Sequence, residues 1–479
     1  MQAALKEYKY QNIEQYLTDL IESGRFAVGQ KLPSLRDVSR KMAVSLATAT
    51  HAYLELEKKG LIEARPRSGY YVRQQVSYLP IPETPVQQIE VGKISRVELI
   101  HTVLASVGNT QMLPFGCVCP DNSLLPHKAM ARIVADVLRE SSADALGYET
   151  ILGNDCLRRQ VGWRMQEYGC RVTGNDILVT NGAMEALYLA LRSTVSKGDC
   201  VVIQSPTYYC FLQLLENMGV KTVEVPSSPT HGVRPRDLEE AFSRFDVAAC
   251  ILSPNFNNPD GALTPDAVKE EVLDICAAHN VPLIEDDVYG DLSDDQTVRP
   301  KPYKAFDTKG RVIHCSSFSK TIAPGFRVGY MAPGQYYQKA VDIKATTNVS
   351  CPSITQQAVA RYLEAGGYDR HLRKLRNATQ NQRTIIQNHL PEFFPKGTRV
   401  TQPEGGNMLW IAFPQQVDGT RMFFDARDKG ISIAPGSIFS PNEFFTNYIR
   451  LSCAGFWNDA MRDGLRTLGM LAQRQIDEG

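Results

Sequence analysis

The fold of this 479-residue chain is decided by the stretch Ser317-Phe318-Ser319-Lys320-Thr321-Ile322-Ala323-Pro324-Gly325-Phe326-Arg327-Val328-Gly329-Tyr330, which follows the apolar run Val312-Ile313-His314. A primary amine beside hydroxyls and a guanidinium can form an imine with an aldehyde while its neighbours bind a phosphate. A lysine considered alone is more often a surface residue. The interpretation therefore depends on matching groups elsewhere in the chain.

Short apolar runs separated by helix-length segments surround this stretch. Each ends in a polar or Gly/Pro-rich turn, and they are Ile177-Leu178-Val179, Cys200-Val201-Val202-Ile203, Ala249-Cys250-Ile251-Leu252, Pro282-Leu283-Ile284 and Val312-Ile313-His314. The pattern predicts an α/β fold, a mostly parallel sheet sandwiched by helices, with active-site residues in the loops that follow the strands. Past about Gln338 the strand signal thins, which predicts a second, smaller α+β subdomain.

Two more of these strand ends carry groups that suit a cofactor. After Val179, the turn Asn181-Gly182 opens a helix whose first N–H groups can bind a phosphate, although glycine turns after strands are common. After Ile284, Asp286 can bind a pyridine nitrogen and Tyr289 a ring oxygen, the alternative being a solvated acidic turn. Complementary groups at three strand ends favour a single cofactor site.

The stretch 317–330 resembles the lysine motif of fold-type I aminotransferases, and Asn257-Asn258-Pro259-Asp260-Gly261 is similar to their Asn-Pro-Thr-Gly turn. The resemblance covers about residues 109–479. It implies pyridoxal 5′-phosphate as the cofactor, with Lys320 forming the imine and Asp286 and Tyr289 as the other catalytic residues. Asp260 replaces the usual threonine, so we expect an additional acidic side chain near the cleft.

The same resemblance implies the remaining contacts of the cofactor. Asn258 would join Tyr289 at the ring oxygen, Tyr208 would stack on the ring, and Arg450 would bind a substrate carboxylate with its planar fork. The phosphate would be held by Ala183, Met184, Ser317, Ser319, Arg327 and, across a dimer interface, Tyr148.

The first 73 residues have a different character from the rest. They carry 12 Lys and Arg against 8 Asp and Glu, whereas the remainder carries 40 against 44. The net positive charge of the first part suits a polyanionic partner. Apolar spacing predicts helices over 10–23, from Ser34 as N-cap to Met42, and over 46–59. A hairpin around 66–69 follows. This order indicates a winged helix-turn-helix, the alternative being a helical protein-interaction module.

Residues 10–73 resemble the GntR type of winged helix, with Lys31-Leu32-Pro33-Ser34-Leu35-Arg36 and Gly60-Leu61-Ile62 in their expected places. Joined to an aminotransferase-like domain, the unit resembles the MocR-like regulators. The resemblance implies head-to-tail dimers on two DNA half-sites, with the third helix in the major groove. The implied DNA contacts are Arg36, Ser45, Thr48, Thr50, Arg65, Arg67 and Gly69. Leu46 stands where the family usually has arginine, so sequence preference or affinity should differ there.

The expected organisation is a DNA-binding domain over 1–73, an extended linker over 74–108 containing Pro80, Pro82 and Pro85, and a cofactor domain over 109–479. The leading hypothesis is a transcription regulator in which an amino compound reacts at the Lys320 imine and changes DNA binding. A second is a working aminotransferase, acting between an amino acid and a 2-oxo acid, with a secondary DNA-binding domain. A third is a degenerate scaffold that binds no cofactor.

Composition excludes several other classes of protein. The chain has no run of eighteen apolar residues and begins with a polar segment, so we expect a cytoplasmic protein without membrane contact. The eleven cysteines are scattered, and the only close pair, Cys117 and Cys119, lacks the second pair of a zinc site. We therefore expect buried thiols and no metal.

Overall fold

The computed structural model describes residues 9–22, 25–26, 29–58, 61–65, 68–72, 79–84, 91–92, 97–105, 109, 111–442 and 444–479. The chain divides into two compact units, residues 1–77 and residues 78–479.

The first unit contains three helices and a hairpin: α1 (Lys9–Glu22), α2 (Leu35–Lys41), α3 (Leu46–Lys58), β1 (Ile62–Arg65) and β2 (Gly69–Val72). The strands are antiparallel, with Ile62 opposite Val72. Ser34 caps α2 by accepting a hydrogen bond from the Asp37 N–H at 3.2 Å, as predicted. Ile13 of α1, Val38 of α2 and Tyr53 of α3 are buried in one shared core. The predicted winged helix-turn-helix is confirmed.

The second unit places its longest strands in one mixed sheet. Its strands, in chain order, are β3 (Val91–Gly92), β4 (Leu113–Pro114), β5 (Leu178–Thr180), β6 (Cys200–Ser205), β7 (Lys221–Ser228), β8 (Gly232–Val233), β9 (Val247–Leu252), β10 (Leu283–Asp286), β11 (Val312–Ser317), β12 (Gly329–Ala332), β13 (Arg399–Val400), β14 (Met408–Ala412), β15 (Ile431–Ser432), β16 (Ala434–Pro435) and β17 (Tyr448–Ser452). The main sheet has the order β3-β7-β6-β9-β10-β11-β12-β5. Strands β7, β6, β9, β10 and β11 run parallel, whereas β12 is antiparallel to both of its neighbours.

The helices of this unit are α4 (Val97–Leu104), α5 (His127–Glu140), α6 (Ser142–Leu146), α7 (Asp155–Glu167), α8 (Ala183–Thr194), α9 (Tyr209–Asn217), α10 (Pro235–Arg244), α11 (Asp266–Ala278), α12 (Tyr337–Thr347), α13 (Ser353–Glu364), α14 (Gly367–Phe393), α15 (Gly419–Asp428) and α16 (Asp459–Glu478). Because successive strand residues point to opposite faces, neighbours such as Val202 and Ile203 enter different cores. One core contains Ile203 and residues of α8 and α9, and the other contains Val202 and residues of α10 and α11. Helices thus cover both faces, as predicted.

A second sheet, in the order β13-β14-β17-β16, forms the smaller subdomain predicted for the C-terminal part. Trp410 of β14 and Leu451 of β17 are buried with Met422 of α15 and Leu465 of α16. Among the residues with described positions, no helix is long and apolar enough to cross a membrane.

The described parts of the range 74–108, which composition predicts as an extended linker, contact other parts of the second unit. We call residues 79–84 the strap. Val400 at the sheet edge donates a hydrogen bond to the Pro80 carbonyl at 2.8 Å, and Arg399 pairs with Glu83. Further on, β3 pairs with β7, and Ile100 and Val103 of α4 are buried in the core of the smaller subdomain. Proline removes a donor but leaves a carbonyl acceptor, so a proline-rich segment can still join a sheet edge.

Candidate functional site

One cleft at the carboxyl ends of β10 and β11 and the start of α8 gathers most of the predicted site. The predicted residues that line it are Ala183, Met184, Tyr208, Asn258, Asp286, Tyr289, Ser317, Ser319, Lys320 and Arg327. The topology explains the gathering, because β10 and β11 are adjacent parallel strands and β12 connects β11 to β5, the strand that leads into α8. Leu187, Phe211 and Val288 also line the cleft, and they were not predicted.

Lys320 lies in a short 3₁₀ turn directly after β11, and its side chain is half-buried in the cleft. Its Nζ donates to the Val118 carbonyl at 2.7 Å and lies 3.4 Å from the Cys119 Sγ. Burial lowers the pKa of this amine, but Tyr289 and Cys119 outweigh burial and hold the pKa above its ordinary value. The amine is therefore a charged group held in position by the segment around Val118.

Asp286, the last residue of β10, is a buried carboxylate with one oxygen that lacks a donor. Its Oδ1 has no hydrogen-bond partner within the described part of the chain. Burial, with a smaller effect of the adjacent Asp287 charge, raises the pKa of Asp286 to about 7. An unpaired buried polar atom is costly. A protonated ring nitrogen would supply the missing donor, so this residue fits pyridoxal phosphate.

A cradle for an anion lies where α8 begins. Ala183 and Met184 are its first residues, so their N–H groups have no acceptor within the helix. Gly182 has a φ of +83°, and a Cβ there would collide with the Arg327 guanidinium. Arg327 in turn donates to the Asn181 carbonyl at 3.1 Å and the Ser319 hydroxyl at 3.3 Å. A helix N-terminus, a hydroxyl and a cation together suit a phosphate.

Arg450 of β17, in the smaller subdomain, does not line the cleft but contacts Asn258, which does. It is 1% exposed, and it donates to the Asn258 Oδ1 at 3.0 Å and to the Gly116 carbonyl. Its buried Nε has no acceptor among the residues described. A buried guanidinium with an unused N–H suits a carboxylate ligand.

Two tyrosines complete the cleft. Burial raises the pKa of Tyr289, so its hydroxyl stays protonated at neutral pH and can donate a hydrogen bond. Tyr208 lies at the start of α9, where its ring packs against Tyr209 and Phe211 and is half-buried.

Two sequence-based expectations differ from the observed positions. Tyr148 is not in this cleft: it is 91% exposed and lines a separate one with Asn154 and Arg361, so its predicted role depends on a second subunit. Asp260 does not add a charge to the cleft, because it is fully buried and accepts hydrogen bonds from Asn257 at 2.7 Å and Ala262 at 3.1 Å. Burial also raises the pKa of Asp260 to about 7.

The expectation of uniformly buried thiols is wrong for part of the set. Six cysteines are buried, whereas the half-buried ones are Cys117, Cys119, Cys156, Cys200 and Cys210. Sequence reasoning missed the contact of Cys119 with Lys320. The available signal was the turn Phe115-Gly116-Cys117, which follows a short strand as the other site turns do. No cluster of metal-ligating side chains occurs in the ranges described above.

The predicted DNA-contacting residues lie on α2, α3 and the hairpin of the first unit. Arg36 is exposed on α2, while Ser45 caps α3 by accepting from the Thr48 N–H at 3.0 Å. Arg65 is exposed but pairs with Glu63 at 2.7 Å and lies 4.3 Å from the centre of the Tyr71 ring. Thr50 donates to the Leu46 carbonyl at 2.9 Å, and Gly69 has a φ of +112°. Arg67 lies outside the described residues.

A sheet of this order, with a lysine after β11, an unpaired aspartate ending β10 and an anion cradle at α8, defines a fold-type I aminotransferase domain of the pyridoxal-phosphate class. Residues 120–468 match the aminotransferase class I and II family, and residues 9–72 match the gntR family of bacterial regulatory proteins.

Similar proteins include regulators and aminotransferases. The HTH-type transcriptional regulator YjiR of Escherichia coli is 36% identical over 98% of this chain and all of its own length. Alpha-aminoadipate aminotransferase LysN of Thermus thermophilus is 26% identical with a TM-score of 0.74, over 80% of this chain and 96% of that one. The Pyrococcus horikoshii kynurenine aminotransferase is 28% identical, with the same TM-score and coverage. The chain belongs to the MocR-like regulators, which combine a GntR-type winged helix with an aminotransferase class I and II domain.

Proposed function

We propose that an amino compound reacting at Lys320 sets the DNA affinity of this regulator. The observation that carries the proposal is the unsatisfied Asp286 Oδ1 in the cleft that Lys320 also lines. The unsatisfied Nε of Arg450, which bonds to Asn258 of the same cleft, supports it. Pyridoxal phosphate, when bound, supplies an aldehyde that condenses with amines and a ring that withdraws electrons.

Each side chain of the cleft has a proposed task. Lys320 holds the aldehyde carbon, Asp286 keeps a proton on the ring nitrogen, and Tyr289 and Asn258 orient the ring oxygen. Tyr208 covers the ring and excludes water from one face. The proposed phosphate contacts are the N–H groups of Ala183 and Met184 with Ser317, Ser319, Arg327 and, from a second copy of the chain, Tyr148.

The chemistry of Arg450 narrows the class of effector. A buried guanidinium with an unused N–H, bonded to Asn258 of the cleft that Lys320 lines, favours a compound that carries both an amine and a carboxylate, as an amino acid does. Such a ligand can switch DNA binding only if it binds two states of the protein with different affinity.

On the DNA side we propose a cytoplasmic head-to-tail homodimer on two half-sites of double-stranded DNA. The proposed contacts are Arg36, Ser45, Thr48, Thr50, Arg65, Arg67 and Gly69. We also propose that the DNA-binding domain spans 1–73 and the cofactor domain spans 109–479. The described parts of the range between them contact the second unit.

Fluorescence anisotropy with DNA from upstream of the protein's own gene tests the proposal. The full chain is titrated with and without pyridoxal phosphate, across a panel of amino acids and simple amines. We expect an amino compound to change the Kd of the wild type and of Lys339→Ala, an exposed-lysine control, but not of Lys320→Ala. The proposal is refuted if cofactor-loaded wild type shows the same Kd with every compound.

A working aminotransferase is the second candidate, and the position of Arg450 favours it. Its buried guanidinium bonds to Asn258 of the cleft and has one N–H without an acceptor, which a substrate carboxylate could use. Amino-group transfer from several amino acids to 2-oxo acids separates the candidates. Rapid turnover without any effect of amino acids on DNA affinity would support the enzyme and contradict the regulator. A degenerate scaffold would give no imine absorbance and no change on Lys320→Ala.

A further inference from the structure

We propose that Cys119 and Cys117 form a peroxide-reactive dithiol beside Lys320. Through this dithiol the protein would respond to hydroperoxides independently of its response to amino compounds. Both cysteines are half-buried in the segment that follows β4. The Cys119 Sγ lies 3.4 Å from the Lys320 Nζ, and Cys117 precedes it by two residues in the same segment. The proposal goes beyond the proposed function, because it requires neither an amino compound nor DNA.

The charges around the pair distinguish it from the other thiols. Cys119 faces Cys117, Lys320, Arg450 and, across the cleft, Tyr289. The interaction with Cys117, followed by the positive charges of Lys320 and Arg450, lowers the pKa of Cys119 below its ordinary value against the effect of burial. The same interaction, together with burial, raises the pKa of Cys117. The environment therefore favours a thiolate at Cys119 and a thiol at Cys117.

The other half-buried cysteines lack this environment. Burial raises the pKa values of Cys156, Cys200 and Cys210. Oxidant-sensing cysteines combine a low pKa, partial exposure and a nearby second thiol. Among the half-buried thiols of the described chain, Cys119 is the one that meets all three conditions.

A hydroperoxide is the oxidant that converts the two thiols to a disulfide. The Cys119 thiolate attacks the terminal peroxide oxygen, an S–O bond forms, the O–O bond breaks, and the leaving alkoxide or hydroxide takes a proton from water. The sulfur loses two electrons to the peroxide. The Cys117 sulfur then attacks the sulfenic sulfur, the S–S bond forms, and hydroxide leaves with the Cys117 proton as water. Two thiols and one hydroperoxide thus give a disulfide, an alcohol or water, and one further water.

Oxidation would act directly on the amine site. Val118 lies between the two cysteines, and its carbonyl accepts the 2.7 Å hydrogen bond from Lys320. A bond between residues 117 and 119 closes a small ring around this peptide and removes the thiolate partner of Lys320. The position and the protonation of the amine therefore both depend on the redox state.

Mass spectrometry of the full chain treated with hydrogen peroxide tests the dithiol. We expect a Cys117–Cys119 disulfide in the wild type and in Cys156→Ser, the matched control. Cys117→Ser should stop at a Cys119 sulfenic acid that dimedone captures, and Cys119→Ser should leave Cys117 reduced. Oxidation of Cys156 as fast as that of Cys119 would overturn the proposal.

Alkylation with iodoacetamide gives a second readout that does not depend on activity. Cys119 should react at a lower pH than an ordinary thiol, whereas Cys156 should react only at alkaline pH. Lys320→Ala should raise the Cys119 midpoint, and Lys320→Arg should preserve it because the positive charge remains. Equal pH profiles for Cys119 and Cys156, or no difference between the two Lys320 variants, would contradict the assigned environment.

Discussion

Gly182 and Arg327 approach so closely that a single Cβ on Gly182 would occupy the space of the Arg327 guanidinium. Both residues have positive φ angles, +83° for Gly182 and +54° for Arg327. Left-handed backbone is uncommon for a residue other than glycine, and it costs about 1 kcal/mol or more. The strained backbone of Arg327 thus directs its guanidinium toward the start of α8.

Gly182→Ala should weaken cofactor binding by roughly ten- to a hundredfold, because Arg327 must leave the anion cradle and one charged hydrogen bond is worth about 1.5–3 kcal/mol. Titration of the cofactor-free protein with pyridoxal phosphate, followed by absorbance, measures the effect. Gly198→Ala is the matched control: Gly198 also has a positive φ, +92°, but a Cβ there contacts nothing within 4 Å. If both variants lose the same affinity, backbone strain rather than Arg327 is responsible.

Asp286→Asn should stabilise the cofactor-free protein at pH 8 while it weakens cofactor binding. The folded pKa of about 7 lies above the ordinary pKa of 3.8 for an aspartate, so between these pH values the folded state holds a proton that the unfolded state has lost. Stability contributed by this proton is present below about pH 4 and decreases as pH rises towards 7. The difference between these two pKa values corresponds to about 4 kcal/mol in the free energy of unfolding. The asparagine amide would leave a hydrogen bond of its own unmade, which offsets about 1–3 kcal/mol of that gain. Thermal unfolding should therefore show a gain at pH 8 and little gain at pH 4, and a uniform gain would exclude titration of Asp286 as its cause.

Arg450→Lys should weaken the DNA response to effectors that carry a carboxylate but not the response to effectors that lack one. Lysine cannot reproduce the planar fork that contacts Asn258, so the concentration of an amino acid required for the DNA response should rise at least about tenfold. Simple amines without a carboxylate should retain the wild-type response. Anisotropy titrations of both ligand types supply the comparison, and parallel losses would show that Arg450 supports the cleft rather than the carboxylate.

Arg36→Ala and Arg67→Ala should each weaken DNA binding and reduce the slope of log affinity against log salt by about 1. Anisotropy between about 50 and 200 mM salt measures both quantities. Lys429→Ala, an exposed cation of the second unit, is the control and should leave the slope unchanged. Unchanged binding of both arginine variants would refute the assigned contacts.

Leu46→Arg should increase DNA affinity and steepen the salt dependence. Leu46 is the first residue of α3 and is 48% exposed, so an arginine there has room to extend from the helix start. Competition with unrelated DNA distinguishes a base contact from a phosphate contact, since a base contact would also raise specificity. A loss of affinity on this substitution would show that the leucine itself makes a favourable contact.

The sequence predicted the parts of the structure that depend on local pattern. The buried strands were visible as apolar runs, and Lys320, Asp286 and Gly182 were visible because each follows such a run. The contact of Lys320 with Cys119 was not, because the two residues are 201 positions apart and no periodicity relates them. The orientation of Asp260 depends in the same way on the hydrogen bonds of its turn, which composition does not encode. Tyr148 remains a prediction because its role requires a second subunit.

The contacts of the strap determine at which residue an isolated cofactor domain can begin. Composition starts the cofactor domain at residue 109, but Pro80 and Glu83 bind the edge formed by Val400 and Arg399. A truncated C-terminal fragment that starts after residue 84 would leave the Val400 N–H of this edge unpaired, and unpaired edges promote aggregation. An expression plasmid for the isolated cofactor domain should therefore begin no later than Leu79, well before the start at residue 109 that composition suggests.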